Sequence, residues 1–316
     1  MVRGLALALG ANFVWGLVFV LPVFLTQFSS IEIALGRYFF YGLLSLLFFF
    51  RYSLKELKNC SKIVWTTALR FTLIANIGYY VALVVGVKYA GAEICTLMTG
   101  IAPLTIAFYG NWLKNEGKFS KLLLPAALIL LGLFIVNWDL FITEAPLEFS
   151  SDYLLGFSSV CVSLTIWTWY VVANAKFLRS HPEVSYFDWS TLLGVSTFLW
   201  VLLIAGSSIF LVDRSQLVKF FTWNSDLQLF FIITAVLGCI CSWLGFFLWN
   251  SGCTYLPISL SGQLTILESV FGIIFVYLIE QRFPEVFELV GVSLMLLAVA
   301  YSITLFKKTG SEPMPA

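Results

Sequence analysis

The sequence contains few of the residues that carry acid–base or metal chemistry. Only 11% of its 316 residues are charged, whereas soluble domains carry about 25%. The formal net charge of +1 excludes a nucleic-acid-binding protein, because such proteins need a concentrated basic patch. The single histidine, His181, argues against histidine-rich metal sites and against a serine–histidine catalytic triad. We therefore expect no metal, no cofactor and no nucleic-acid partner.

The six cysteines show no CxxC spacing of the kind found in zinc sites. Cys95, Cys161, Cys239 and Cys241 fall inside apolar stretches, where a free thiol packs like a small hydrophobic group. We expect all six to be reduced packing residues.

Apolar side chains, in contrast, make up 60% of the chain, which is more than one water-surrounded core can bury. A hydrocarbon layer about 30 Å thick takes about 20 apolar residues of helix. Ten such runs are present, and no connection between them is long enough to fold as a soluble domain. The predicted spans are residues 4–26, 31–51, 64–87, 92–114, 121–138, 152–178, 185–211, 227–251, 258–280 and 285–306.

Lysine and arginine are distributed unevenly between the two sets of connections. With the N-terminus inside, twelve of them fall on inner loops and tails and four on outer loops. The outer loop between the fifth and sixth spans is acidic instead, with Asp139, Glu144, Glu148 and Asp152. By the positive-inside rule, both termini are expected in the cytoplasm, including a short tail over 307–316.

A weak internal repeat relates the two halves of the chain. Its three pairs are Glu116-Gly-Lys-Phe119 with Glu280-Gln-Arg-Phe283, Tyr89-Ala-Gly-Ala92 with Tyr255-Leu-Pro-Ile258, and Trp15 with Trp167. Each half then has five spans, so the second half enters the membrane upside down. The predicted fold is an all-α integral membrane protein with ten transmembrane helices as two inverted five-helix repeats, 1–140 and 151–306.

Two ionisable residues lie deep in the predicted spans, where an unpaired charge is costly. Glu268, about ten residues into the ninth span, is a candidate proton carrier, or else a protonated packing residue bonded to a carbonyl group. Arg37, in the second span, can bind a carboxylate through two parallel hydrogen bonds. That carboxylate belongs to a substrate, to Glu32 or to Glu268, and a purely structural pairing is the alternative.

Asparagine and aromatic residues share helical faces on four spans. Such faces suit an apolar pocket with a few hydrogen-bonding groups, although packing or contact with lipid also explains aromatic residues. With Arg37, the candidate substrate-binding residues are Asn12, Trp15, Phe19, Asn76, Tyr80, Trp167, Tyr170, Trp243 and Asn250.

Other classes of membrane protein fit less well. An intramembrane lipid-modifying enzyme needs a polar catalytic cluster, and the one candidate, His181 with Glu183 and Asp188, is typical of a solvated turn. A channel would show a glycine-rich filter or repeated pore charges. A receptor would more often have seven spans and a larger soluble segment. We therefore predict a transporter rather than an enzyme.

The chain resembles the drug/metabolite transporter superfamily, and within it the ten-span EamA-type transporters. The resemblance covers nearly the whole chain, to about residue 306, and depends on the order of several short motifs. These are Trp15-Gly16, Arg37 within Leu35-Gly-Arg-Tyr-Phe-Phe40, Tyr89-Ala-Gly-Ala92, Pro103 and Glu116, with Tyr255 and Glu280 in the second half.

This resemblance implies gradient-linked or proton-linked export of amino acids and related small metabolites across a bacterial inner membrane. Uptake or exchange of another metabolite, such as a nucleotide or sugar conjugate, is the alternative. Two departures leave the coupling ion and the equivalence of the two gates open: Ser269 stands in place of Pro103, and Trp189 in place of Arg37.

Overall fold

The computed structural model describes residues 1–53, 55, 57, 60–114, 119–138, 150–208 and 220–308. Within these residues the chain is helical and contains no strand. In the described part of the chain, nine helices are long and apolar enough to cross a membrane, and Ser120–Val136 is apolar but shorter. The predicted all-α membrane fold with ten helices is confirmed. All six cysteines lie in this part of the chain, and none of them forms a disulfide bond there.

The helices follow the apolar runs closely, because the thickness of the bilayer sets their length. In chain order they are α1 (Val2–Phe24), α2 (Ser30–Ser53), α3 (Lys62–Ala90), α4 (Ala92–Gly100 and Ala102–Lys114), α5 (Ser120–Val136), α6 (Ser151–Ser180), α7 (Tyr186–Ser208), α8 (Ser225–Cys253), α9 (Ile258–Glu280) and α10 (Val286–Lys308). Several positions on which the sequence-based predictions depend lie outside the described residues. They are Glu116, the acidic positions 139–148, the end of the seventh predicted span at 209–211, and the tail from 309.

Local chemistry explains where several helices begin. Ser29 caps α2, because its Oγ accepts a hydrogen bond from Glu32 N while Glu32 Oε2 accepts one from Ser29 N at 2.7 Å. Asn224 Oδ1 likewise accepts from Leu227 N at 2.8 Å at the start of α8. Gly91, with φ of 91°, separates α3 from α4 in a conformation that other residues rarely adopt.

Four helices are interrupted at corresponding places in the two halves. α3 contains a π-helical segment at Leu73–Gly78, and α8 contains one at Leu237–Leu244, starting 164 residues later. α4 is broken at Ile101 and α9 at Thr265, which is again 164 residues later. Pro103 explains the first break, because it has no N–H group to continue the α-helical ladder.

The packing of the helices has the same correspondence. α3 packs on α6 as α8 packs on α1, and α2 packs on α8 as α7 packs on α3. α2 with α7, α4 with α9 and α5 with α10 are further pairs. Exchanging every helix with the one five places away therefore turns the first contact of each comparison into the second, and it maps the last three pairs onto themselves. α5 and α10 approach closely at Gly132 and Gly291, where a Cβ on Gly132 would lie 2.7 Å from Gly291 O.

Candidate functional site

Arg37 projects from α2 toward the π-helical segment of α8. Its Nε donates a hydrogen bond to Ser242 Oγ at 2.8 Å, and Ser242 Oγ donates to Leu237 O at 3.0 Å. Among the described residues, no carboxylate forms a salt bridge with Arg37, and its two Nη groups have no hydrogen-bond partner. Because the side chain is only partly buried, these two groups are available to a carboxylate ligand.

Glu268 lies in the first turn that follows the break of α9 at Thr265. The positive end of the second half of the helix therefore faces a carboxylate at this position. The Glu268 side chain is partly buried, and the described part of the chain gives it neither a salt bridge nor a hydrogen bond. Arg37 nevertheless lies within electrostatic range of Glu268, without forming a salt bridge with it in the described part of the chain.

Glu32, the other carboxylate considered for Arg37, has a different role. It completes the cap of α2 by accepting hydrogen bonds from Ser29 N at 2.7 Å and Ser29 Oγ at 2.9 Å. Glu268 is therefore the deep carboxylate on which the charge of Arg37 acts.

A chain of aromatic rings begins at a residue of α3 that lies within electrostatic range of Glu268. Tyr79 of α3, on which Glu268 acts electrostatically, lies 5.4 Å from the Trp167 ring. Trp167 lies 5.6 Å from Tyr170, and Tyr170 meets Phe246 of α8 edge-on at 6.3 Å. Phe246 in turn lies 6.0 Å from Trp15 of α1. Rings from four helices thus form an apolar wall, in which Tyr79 and Trp167 are the more accessible members.

Trp15 is held firmly against α8. Its Nε1 donates to Cys241 O at 2.9 Å, a carbonyl group in the π-helical segment. Gly245 lies beneath the indole ring, and a Cβ there would approach Trp15 Nε1 to 2.4 Å. The contact therefore requires glycine, and Trp15 joins α1 to α8 as well as lining the aromatic wall.

A buried polar network joins α2, α6, α7 and α8 at the end of the bundle where α1 begins, which we call the N-terminal side. Asn174 Nδ2 donates to Asn250 Oδ1 at 2.7 Å, and Asn250 Nδ2 donates to Ser190 Oγ at 3.0 Å. Trp189 Nε1 donates to Asn174 Oδ1 at 2.8 Å, and Tyr41 Oη donates to Ser190 O at 3.1 Å. All five side chains are fully buried, so this network closes the N-terminal side.

The remaining predicted binding residues are distributed over the bundle. Asn76 Nδ2 donates to Thr197 Oγ1 at 2.7 Å, and Trp243 Nε1 donates to Thr191 Oγ1 at 3.3 Å, so both join α7 to a neighbouring helix. Asn12, Tyr80 and Phe19 complete the set: Asn12 Nδ2 donates to Ala8 O at 2.7 Å, the Tyr80 hydroxyl group donates to Ser30 O, and Phe19 is 48% exposed.

Ser242, Ser190 and Tyr79 are site residues that the sequence did not point to. Serine and tyrosine are common in apolar helices, so their presence alone gave no signal. Trp189 also belongs to the buried network, and its position in place of Arg37 in the second half is the sequence feature that points to it. Within the described residues, no group of three His, Cys, Asp or Glu side chains is placed to hold a metal ion.

Comparisons with known proteins agree with one another. The EamA-like transporter family matches residues 2–138 and 154–304 of this chain. The chain is similar to the inner membrane protein YtfF of Escherichia coli (strain K12), with 29% identity over 96% of this chain and 95% of that protein. A crystal structure of another protein has the same fold, with a TM-score of 0.76 and 16% identity over 98% of this chain and 99% of the other.

Proposed function

The chain belongs to the EamA-like transporter family, and from this premise we propose that it exports amino acids or related small metabolites across a bacterial inner membrane. The name of its Escherichia coli relative, an inner membrane protein, supports the location. The multi-pass helical fold supports transport within the bilayer. Both termini are proposed to be cytoplasmic, as the distribution of lysine and arginine favours, so the N-terminal side is the cytoplasmic side.

The observation that carries the substrate proposal is the unpaired state of Arg37 and Glu268. The two groups lie within electrostatic range of each other, but no salt bridge joins them within the described residues. A zwitterion carries the complementary charges. Its carboxylate binds the two free Nη groups of Arg37, and its ammonium group binds Glu268. The rings of Trp167 and Tyr170 then enclose an apolar side chain.

We propose that transport proceeds by alternating access between two inverted repeats, residues 1–140 and 151–306, with 307–316 as a cytoplasmic tail. The matching π-helical segments and helix breaks, each 164 residues apart, support this division. Helix contacts that repeat after five helices support it as well. The buried network at Asn174 and Asn250 then represents the state in which the cytoplasmic side is closed.

Proton coupling is assigned to Glu268 in this proposal. Its carboxyl group binds a proton when the ammonium group of the substrate is absent, and loses it when the substrate binds. One proton then moves inward for each substrate that moves outward. The position of Glu268 at the start of a half-helix supports the exchange, since the positive end of a helix favours the charged carboxylate that binds the ammonium group.

Transport into inside-out membrane vesicles tests the proposal. Vesicles containing the protein should accumulate labelled phenylalanine or leucine when their interior is acidic, and an uncoupler should abolish the accumulation. Vesicles without the protein are the control. If no amino acid of a broad panel is accumulated while an uncharged solute is carried well, the proposed role of Arg37 is wrong.

A further inference from the structure

Corresponding half-helices of the two repeats differ sharply in burial. The first half of α9, Ile258–Leu264, is buried at all seven residues. Its counterpart in α4, Ala92–Gly100, has one buried residue, Cys95, among those whose side chains are described. The second half of α8, Gly245–Cys253, likewise has seven buried residues, whereas the corresponding Tyr79–Ala90 of α3 has only Gly86. The N-terminal side is therefore packed closed, and the opposite side is less covered.

Some buried polar groups on the N-terminal side have no hydrogen-bond partner among the described residues. Both amide atoms of Gln263, Nε2 and Oε1, are buried and have no hydrogen-bond partner among the described residues, and the side chain is only 1% exposed. Ser261 Oγ, two residues earlier on the same half-helix, is in the same situation, with its residue 2% exposed. Buried polar groups are almost always hydrogen-bonded, since leaving them unpaired is costly.

The packing around Gln263 leaves little room to relieve this cost locally. The next residue back, Gly262, is pressed against α4, where a Cβ would lie 2.7 Å from Ala107 N. Rotation of the half-helix about its axis would therefore bring larger side chains against α4 at this contact. A change in the packing of α9 against α4 is needed instead.

We infer that Gln263, assisted by Ser261, is a positioning residue that lines the substrate pathway when the N-terminal side opens. If the two repeats exchange conformations, Ile258–Leu264 takes the less covered environment that Ala92–Gly100 has in this structure. The Gln263 amide then gains partners in water and in the polar end of the substrate. An amide both donates and accepts hydrogen bonds, so it can bind the carboxylate and the ammonium group of a zwitterion. Because the amide is uncharged, it does not hold the substrate too tightly for release.

This inference depends on the alternating access that we proposed, but it does not depend on which substrate is carried. Its test therefore uses the purified protein in lipid nanodiscs without substrate. Two quantities are measured: the melting temperature, and the rate at which Cys253 reacts with a bulky, membrane-impermeant maleimide. Cys253 is a buried thiol in the last turn of α8, on the N-terminal side of the bundle, and peptide mass spectrometry reads it separately from the other cysteines.

Gln263→Leu is the informative substitution. Removing an unpaired amide should raise the melting temperature of the closed protein. It should also slow the labelling of Cys253 about fivefold, the factor that corresponds to one net hydrogen bond lost from the open state. Leu260→Met, a volume-conserving change at a buried position of the same half-helix, is the matched control and should change neither quantity appreciably.

Two outcomes would overturn the inference. If Gln263 is held by a buried water molecule in a purely structural role, Gln263→Leu will lower the melting temperature and speed the labelling. If the melting temperature rises but the labelling rate stays constant, the residue does not distinguish the two states. Gln263→Cys gives an independent measurement. Its thiol should be labelled faster when the hydrogen bonds that close the N-terminal side are also removed. A failure of amino-acid transport in vesicles would leave these results unchanged and would count only against the proposed substrate.

Discussion

Removal of the Asn250 side chain should favour opening of the N-terminal side. In the closed bundle, Asn250 accepts a hydrogen bond from Asn174 Nδ2 at 2.7 Å and donates one to Ser190 Oγ at 3.0 Å. Asn250→Ala removes both bonds at a position with no solvent exposure. The Asn174 amide then loses one partner, while its Oδ1 keeps the hydrogen bond from Trp189.

The expected effect follows from the number of bonds. Hydrogen bonds between side chains of membrane helices contribute about 0.6 kcal/mol on average and about 1.7 kcal/mol at most. Two such bonds, together with the unpaired Asn174 amide, give a loss of about 1–2 kcal/mol. Because water replaces these partners once the N-terminal side opens, the loss falls on the closed state. The open population should therefore rise about 5-fold to 30-fold.

The labelling rate of Cys253 measures this population directly. The thiol is 2% exposed, three residues beyond Asn250 in the last turn of α8, and should react only when the N-terminal side opens. Asn76→Ala is the matched control, because it removes another buried hydrogen bond of an asparagine, to Thr197 at 2.7 Å, near the middle of α3. If both variants speed the labelling of Cys253 equally, or if neither does, the hydrogen bonds of Asn250 are not what keeps the N-terminal side closed.

Three further predictions concern transport and topology. Glu268→Gln should abolish accumulation driven by a pH gradient but keep substrate exchange, because the amide resembles the protonated acid; full accumulation in the variant would contradict the coupling role. Arg37→Lys should reduce the resistance of cells to toxic amino-acid analogues, since lysine cannot bind a carboxylate through two parallel bonds, whereas Arg70→Lys, at an exposed position of α3, should not. An impermeant thiol reagent added to intact cells should label a cysteine introduced at Glu148 and spare the native Cys60, and the reverse pattern would refute the orientation.

The fold was largely predictable because the bilayer imposes a length on every span. The interruptions were not equally predictable. Pro103 marks the break of α4 in the sequence, but the break at Thr265 has no proline. The π-helical segment at Leu73–Gly78 has the apolar composition of the ordinary helix around it. Such segments depend on packing against neighbouring helices, and a single sequence does not contain that information.

The candidate site was predictable in its charges and less so in its polar neighbours. Arg37 and Glu268 stood out because ionisable residues are rare in hydrocarbon. The asparagines were expected to face a pocket, yet Asn76 and Asn250 form hydrogen bonds to other helices. A buried amide in a membrane protein must find a partner, and only the packed bundle shows whether that partner is another helix or a ligand.

The closed N-terminal side combines one group of polar residues that is fully satisfied with another that is not. The network at Asn174 and Asn250 favours closure, since opening breaks its hydrogen bonds. By our inference Gln263 opposes closure, since its amide has no hydrogen-bond partner in the closed state within the described residues. A transporter needs both, because a large free-energy difference between its two states would trap it in one of them. Substitutions in the two groups should therefore shift the same equilibrium in opposite directions, Asn250→Ala toward the open state and Gln263→Leu toward the closed one. If both variants instead destabilise the protein and shift the equilibrium in the same direction, their effects are ordinary packing defects, and the two groups do not act on one conformational equilibrium.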